Sequence, residues 1–179
     1  FNNVLELSSK SGNKLSFLVS PLSLQLTDEH SGGQYSVENI FQASKVFERG
    51  GPFTDLLDAP PRQAKKDDRL HHSGQLIGYN DSGMEWNLEP LTMFYDWLYV
   101  NALKQNTQLH SEVMQYQAFT DITFNPKKSI HSAAYALALF VALNKRDLLD
   151  NIEDPIAFYD LCEGFKVSNT EHLLQSGWF

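Results

Sequence analysis

The spacing of hydrophobic and polar residues predicts a chain built mainly from helices. From Pro90 onward, apolar residues recur at intervals of three and four, and the apolar run 133–143 reads as a buried helix. That run is too short to cross a bilayer. Short apolar or alternating stretches at 4–6, 15–19 and 20–26 predict extended segments. We therefore expect one compact, mainly α, multihelical domain over the whole chain, with minor β structure near the N-terminus.

The segment 35–51 carries a candidate reactive pair on a predicted helix. Ser36 is a good N-cap residue, and Gly50 and Gly51 are expected to end the helix. Glu38 and Lys45 are seven residues apart, close to two helical turns, which predicts that both lie on one face. Such a pair can supply an acid–base group and a nucleophile, or it can be a plain surface ion pair.

The neighbours of this pair favour an enclosed helix. Phe41 lies on the same stripe as Glu38 and Lys45, whereas Val37 and Ile40 belong to a separate apolar stripe. A helix that is apolar on more than one side is mostly buried. Burial lowers the pKa of a lysine, so Lys45 is expected to be a usable nucleophile near neutral pH.

Charge and cysteine content narrow the classes of function. With a formal net charge of −8, bulk attraction to nucleic acid is not expected, so any phosphate must meet a local basic patch. Two basic groups are available, although each can equally be a solvated surface: Arg62, Lys65, Lys66 and Arg69, and Lys127 with Lys128. The single cysteine, Cys162, excludes an internal disulfide and is typical of a reducing cytoplasm, where we expect the protein to be.

No cofactor or metal site is expected from the motifs. The sequence contains neither a glycine-rich phosphate loop nor an HExxH motif, and its histidines are scattered. Cys162, with no histidine nearby in the sequence, reads as a buried structural thiol.

Several polar residues stand in aromatic surroundings. Asp96 lies within the run MFYDWLYV beside Tyr95, and Trp86 follows a turn-rich region. Asp121 and Asn125 lie between predicted helices. An internal hydrogen bond or surface exposure is the simpler explanation for Asp96, and helix capping is the simpler one for Asp121. The aromatic rings suit a core as well as a surface on which a base can stack.

The motif ENIFQASK at 38–45 resembles the signature of the NADAR (YbiA-like) family in its residues and in its Glu-to-Lys spacing. The segment 101–121 is similar to a second block of that family, which ends on an acid at the position of Asp121. Trp86 falls where the family carries a tryptophan, and 20–26 lies at the family's Ser-Asn-Phe motif.

More narrowly, YSVENIFQASKVFERGGPFTDLL and FYDWLY…FTDITFNPKKSI resemble the NADAR branch found beside DarT-type DNA ADP-ribosyltransferase toxins. Two departures from the broader family are visible. Ala102 stands where that family has a lysine, and FNPKKS replaces its Trp-Gly-x-Gly motif.

This resemblance implies an ADP-ribosyl hydrolase that removes ADP-ribose from guanine in DNA and acts as an antitoxin. Alternatives are an N-glycosidase of early riboflavin-pathway intermediates and a non-catalytic module that binds the toxin. The implied partners are ADP-ribosylated DNA or ADP-ribose, and a DarT-type toxin, without metal, cofactor or membrane.

The resemblance also implies roles for individual residues. Lys45 would be the nucleophile, Glu38 the acid–base group, and Asp121 a group that holds ribose hydroxyls or assists protonation. The expected substrate contacts are Ser20, Leu22, Gln42, Trp86, Tyr95, Asp96, Asn125 and Lys128.

Overall fold

The computed structural model describes residues 3–8, 12–28, 31–122 and 130–164, and alternates short strands with helices along them. Up to the middle of the chain the elements are β1 (Val4–Leu7), α1 (Lys14–Leu18), β2 (Gln25–Thr27), β3 (Gln34–Ser36), α2 (Val37–Ala43), β4 (Lys45–Phe47), a 3-10 helix (Thr54–Leu57), α3 (Pro61–Ala64) and α4 (Arg69–His72). Beyond it are β5 (Leu76–Asp81), β6 (Met84–Trp86), α5 (Met93–Gln105), a 3-10 helix (Thr107–Leu109), α6 (His110–Val113), β7 (Ala118–Asp121), α7 (Ala133–Lys145) and α8 (Pro155–Gly164).

Helix α5 lies at the centre of the fold. Its residues from Met93 to Leu103 are all buried, because α2, α7, α8 and the strand β2 pack around it. Helix α7 is the apolar run predicted from the sequence, and both helices join one hydrophobic core. The predicted helices of the C-terminal half are thus confirmed. No helix in the described ranges is long and apolar enough to cross a membrane.

The strands form three small sheets distributed along the chain. β1 pairs in parallel with β7, β2 pairs with β3, and β4, β5 and β6 form an antiparallel sheet. Of the described residues, 45% are helical and 18% are in strands, which makes this a single compact α/β domain. The expectation of β structure only near the N-terminus was therefore wrong. β4, β6 and β7 have three or four residues, too few to leave a clear alternating pattern in the sequence, and the six residues of β5, LIGYND, do not alternate between apolar and polar.

The segment 15–19, expected to be extended, is mostly helical. Asn13 caps helix α1 through its side-chain oxygen, which accepts a hydrogen bond from the Ser16 backbone N–H at 3.2 Å. The Ser16 hydroxyl donates to the Glu6 carbonyl at 2.9 Å and so ties α1 to β1. These capping and tertiary bonds outweigh the local preference for an extended chain.

Helix α2 ends at Ala43, two residues before Lys45. Lys45 is instead the first residue of β4 and lies opposite Tyr79 of β5. The Ser44 hydroxyl donates to the Ile40 carbonyl at 2.7 Å, while the Ser44 carbonyl accepts the backbone N–H of Asn80 at 2.7 Å. The predicted helical face shared by Glu38 and Lys45 was thus wrong, because pairing with β5 ends the helix early. The predicted enclosure is confirmed, since all residues of α2 are buried.

Gly51 holds the turn that follows β4 against the backbone of Lys45. Its φ is +89°, and a Cβ atom added there would collide with the Lys45 carbonyl oxygen. The turn therefore needs glycine both for its backbone conformation and for its close approach to Lys45.

We expect Gly51→Ala to destabilise the protein by several kcal/mol, because it adds a backbone collision to the strain of a positive φ, which alone costs about 1 kcal/mol. Gly83→Ala is the matched control, since Gly83 has a φ of +93° and open space at the Cβ position. Urea unfolding of both variants measures the difference. Equal losses of stability would show that the contact with Lys45 does not constrain the turn.

Candidate active site

Glu38 is a buried carboxylate on the first turn of α2. Its backbone N–H donates to the Pro21 carbonyl at 2.9 Å, which attaches the turn to the preceding loop. Its Oε1 accepts a hydrogen bond from Gln42 Nε2 at 2.8 Å, one helical turn later. Its Oε2 lies 3.6 Å from Lys65 Nζ. The carboxylate is therefore oriented by an amide on one side and faces a cation on the other.

Lys45 places its amine over an aromatic ring. Lys45 Nζ lies 4.8 Å from the centroid of the Phe41 ring. The pKa of Lys45 is lowered to about 8, mainly because burial desolvates the amine; the Glu38 carboxylate opposes the shift, and the Lys65 charge adds a smaller lowering effect. With this pKa, roughly a tenth of the Lys45 side chains carry a neutral amine at pH 7. An amine of this kind can act as a nucleophile near neutral pH.

Phe41 is the centre of the aromatic surroundings that bury Lys45. Its ring centroid lies 5.5 Å from that of Tyr79, 5.3 Å from Tyr95 and 4.7 Å from His131. These rings come from β5, α5 and the segment before α7, so three separate parts of the chain converge on α2. Their convergence supplies the apolar environment that favours a neutral amine.

His131 is a site residue that the sequence reasoning missed. Its ring packs edge-on against Phe41 and lies 5.2 Å from the ring of Tyr95. Burial and the nearby Lys45 charge lower the pKa of His131 to about 4, against a hydrogen bond with the backbone of Leu91 that raises it. The imidazole is therefore neutral at pH 7. A lone histidine ahead of a helix gives no spacing signal from which this could be predicted.

Gln42, a predicted substrate contact, lies beside Glu38. Its amide nitrogen is committed to Glu38, and its Oε1 is buried. Within the described ranges no donor reaches that oxygen. A buried acceptor without a partner is costly, so Gln42 Oε1 is suited to receive a donor from a bound molecule.

Tyr95 lies close to the pair, and Asp121 acts on Tyr95 electrostatically but has a structural role of its own. Burial raises the pKa of the Tyr95 phenol, with smaller contributions from the Glu38 and Asp121 carboxylates. Asp121 accepts hydrogen bonds from the Ser132 hydroxyl at 2.6 Å and from the backbone N–H of Ala134 at 3.2 Å. It therefore holds the N-terminus of α7, in agreement with the capping explanation.

Ser20 and Leu22 lie in the loop that attaches to the first turn of α2. The Ser20 hydroxyl accepts the Leu22 backbone N–H at 3.3 Å, and the Leu24 carbonyl accepts the N–H of Val37. The loop thus borders the helix turn that carries Glu38. Two further predicted contacts, Asn125 and Lys128, lie outside the described residues.

Trp86 lies in an aromatic stack next to the site rather than at Lys45. Its ring centroid is 5.4 Å from that of Phe94 and 5.1 Å from that of Trp97. Phe94 in turn lies 6.2 Å from Phe41. Trp86 also lies opposite Tyr79 in the β5–β6 pair, and Tyr79 lies opposite Lys45 in the β4–β5 pair. Trp86 therefore borders the site through both Phe94 and Tyr79.

Asp96 is buried in the core beside helices α7 and α8. Its Oδ2 accepts a hydrogen bond from the Thr92 hydroxyl at 2.8 Å, and its buried Oδ1 has no partner among the described residues. Burial raises the pKa of the Tyr135 phenol and of the Cys162 thiol, and the Asp96 charge adds to both shifts. Burial raises the pKa of Asp96 to about 7, against the effect of the Thr92 hydrogen bond. Asp96 is thus a poorly satisfied core acid.

A cavity of about 130 Å³ opens on the other side of α2 and α5. Ile40, Trp97 and Asn101 contribute to its wall, while Glu38, Phe41 and Tyr95 do not. Ile40 and Glu38 are two residues apart on α2, which turns their side chains to nearly opposite faces. The cavity is therefore separate from the Glu38–Lys45 pair.

The fold and the site together define a small α/β protein with an enclosed Glu–Lys pair, an arrangement suited to acid–base and nucleophilic chemistry. No cluster of three or more potential metal ligands occurs in the part of the chain that the structure describes. The family model of the DarT1-associated NADAR antitoxins matches residues 1–172, and the chain belongs to this family. NADAR proteins are generally ADP-ribosyl glycohydrolases. The chain matches none of the curated proteins.

We expect Asp96→Asn to stabilise the protein at pH 8 by an amount on the order of a few kcal/mol. The pKa of Asp96 is raised from 3.8 to about 7 in the folded state. Between pH 4 and pH 7 the carboxyl is therefore protonated in the folded protein and ionised in the unfolded protein. Its contribution to stability therefore falls as the pH rises from about 4 to about 7.

Urea unfolding at pH 4.5 and pH 8 tests this expectation, with Asp160→Asn as the control because Asp160 is an exposed carboxylate of α8. The advantage of Asp96→Asn should appear at pH 8 and shrink at pH 4.5. The same difference from wild type at both pH values would contradict a buried acid that titrates near neutrality.

Proposed function

We propose that this protein is an ADP-ribosyl hydrolase that removes ADP-ribose from guanine bases in DNA and thereby counteracts the DarT1 toxin with which its family is associated. The observation that carries the proposal is the amine of Lys45, which has a lowered pKa and lies within electrostatic reach of Glu38. An amine that is partly neutral near pH 7 can attack as a nucleophile, whereas binding to a partner does not require a lysine with a lowered pKa.

The reaction begins with opening of the ribose ring. A proton delivered through Glu38 to the ring oxygen breaks the bond between C1 and that oxygen, leaving an iminium between C1 and the modified guanine nitrogen. The lone pair of the neutral Lys45 amine then adds to C1. A proton moves from Lys45 Nζ through Glu38 to the guanine nitrogen, and the bond from C1 to this nitrogen breaks.

Guanine leaves with its amine restored, and C1 of the ribose remains bound to Lys45 as a Schiff base. Water adds to this intermediate, and its collapse releases ADP-ribose and regenerates the free lysine. The sequence balances without an oxidant, a reductant or a metal. In this scheme the Glu38 carboxylate carries the protons, and its Oε1 accepts a hydrogen bond from Gln42 Nε2 at 2.8 Å.

The surroundings of Lys45 serve this chemistry in two ways. The rings of Phe41 and Tyr95 exclude water and keep part of the lysine unprotonated. Gln42 Oε1 accepts a hydrogen bond from a ribose hydroxyl or from the guanine edge. Ser20, Leu22 and Asp121 border the ribose in this proposal, and Asn125 and Lys128 keep the roles implied by the sequence.

Membership of the DarT1-associated family favours a DNA adduct over a riboflavin-pathway intermediate as the substrate. A non-catalytic module that binds the toxin is the second candidate. The formal charge of −8 suits a basic partner and supports this candidate independently of the site.

We expect Lys45→Ala to reduce the release of free ADP-ribose from an ADP-ribosylated, guanine-containing oligonucleotide by at least about a thousandfold, because the nucleophile is removed. Chromatography of the reaction products measures the release. Lys145→Ala, which changes an exposed lysine of α7, should retain full activity. Full activity of Lys45→Ala would exclude Lys45 from the mechanism, and an inactive wild-type protein that still inhibits the toxin would favour the binding module.

A further inference from the structure

We propose that Lys65 is an anion-binding residue at the mouth of the site, and that it exchanges Glu38 for a phosphate of the ADP-ribosyl diphosphate when the substrate binds. This inference rests on the proposed function, because it takes the Glu38–Lys45 pair as the reacting centre. It adds a requirement for a substrate with a phosphate close to the reacting ribose.

The position of Lys65 follows from the packing of two helices. α3 packs against α2, and Lys65 is the C-cap residue of α3. From there its side chain reaches the first turn of α2, where Nζ lies 3.6 Å from Glu38 Oε2. The Lys65 side chain is 60% exposed, whereas that of Glu38 is 5% exposed. The Lys65 side chain therefore lies mostly in solvent, while its ammonium group faces a buried carboxylate.

The contact between Lys65 and Glu38 is loose enough to be exchanged. A separation of 3.6 Å is longer than that of a charge-assisted hydrogen bond, for which about 2.8 Å is typical. Because the Lys65 side chain is mostly in solvent, its ammonium can leave Glu38 for another anion without a large loss of hydration. A diphosphate offers Lys65 more negative charge and better hydrogen-bond acceptors.

The charges around Glu38 favour an anion in spite of the acidic chain. Lys45 and Lys65 both act electrostatically at this site, and Glu38 is the carboxylate that they share. When both lysines are protonated, their two positive charges exceed the single negative charge of Glu38, although the whole chain carries −8. A phosphate is therefore attracted to this point of the surface.

The neighbouring arginine is not available for the same task. Arg69 donates to both Asp55 oxygens, at 3.1 and 2.7 Å, and to Asp67 at 2.8 Å. Its guanidinium also lies 4.6 Å from the ring centroid of Phe53. Of the basic group predicted from the sequence, Lys65 is the member that contacts Glu38, while Arg62 and Lys66 are exposed.

The exchange also changes the reacting pair. The Lys65 charge lowers the pKa of Lys45, so a bound phosphate that offsets this charge moves the pKa of Lys45 back up, and the gain from the exchange lies at Glu38. Release of Lys65 from Oε2 leaves this oxygen of Glu38 available for the proton transfers. A substrate with a diphosphate thus prepares the carboxylate, and one without phosphate does not.

The test compares Lys65→Gln with Lys66→Gln, which removes the same charge from the next, exposed residue. ADP-ribose binding is measured by calorimetry, and inorganic pyrophosphate is used as a competitor. We expect Lys65→Gln to weaken ADP-ribose binding at least tenfold and to raise KM more than it lowers kcat, with Lys66→Gln within twofold of wild type. Lys65→Arg should retain most of the affinity.

If Lys65→Gln and Lys66→Gln weakened ADP-ribose binding equally, Lys65 would act only through the general surface charge, and the inference would be overturned. Failure of wild type to bind ADP-ribose, or unchanged binding in Lys65→Gln, would overturn it as well. Failure of the proposed function gives a different result, since ADP-ribose would bind in a Lys65-dependent manner while the modified oligonucleotide stayed intact.

Discussion

The packing of the half-buried Lys45 amine over the ring of Phe41 controls the chemistry of the site. An amine in water keeps its proton far above neutral pH, and loss of hydration is the main reason that the pKa of Lys45 falls to about 8. This loss needs aromatic side chains from several elements, among them Tyr79 and Tyr95. The β4–β5–β6 sheet brings Tyr79 to α2, and the central helix α5 brings Tyr95.

Two charged side chains have opposite effects on the pKa of the half-buried Lys45 amine. Glu38 stabilises the protonated form of Lys45, and Lys65 destabilises it. The carboxylate is itself held by Gln42, whose other amide atom is buried without a partner in the described chain. The site therefore combines the Lys45 amine with its lowered pKa, the oriented Glu38 carboxylate and the Gln42 oxygen that has no partner among the described residues. Groups of these kinds are typical of sites that bind a ligand.

The sequence allowed the enclosure of α2 to be predicted, because its apolar pattern lies within a few consecutive residues. The catalytic roles of Glu38 and Lys45 stay predictions. The sequence did not allow the end of α2 to be predicted, since Ala43 is followed by a strand whose partner, β5, lies about 30 residues further along the chain. His131 was missed for the same reason. It reaches Phe41 only through the tertiary fold, and nothing in its local sequence indicates that contact.

Trapping the lysine adduct tests the central claim most directly. The wild-type protein is mixed with an ADP-ribosylated, guanine-containing oligonucleotide in the presence of sodium borohydride, and the products are digested and analysed by mass spectrometry. If Lys45 is the nucleophile, a stable ADP-ribosyl adduct is expected on the peptide that contains Lys45. Efficient release of ADP-ribose without any adduct at Lys45, or with an adduct on another lysine, would contradict a mechanism in which the buried amine attacks the ribose.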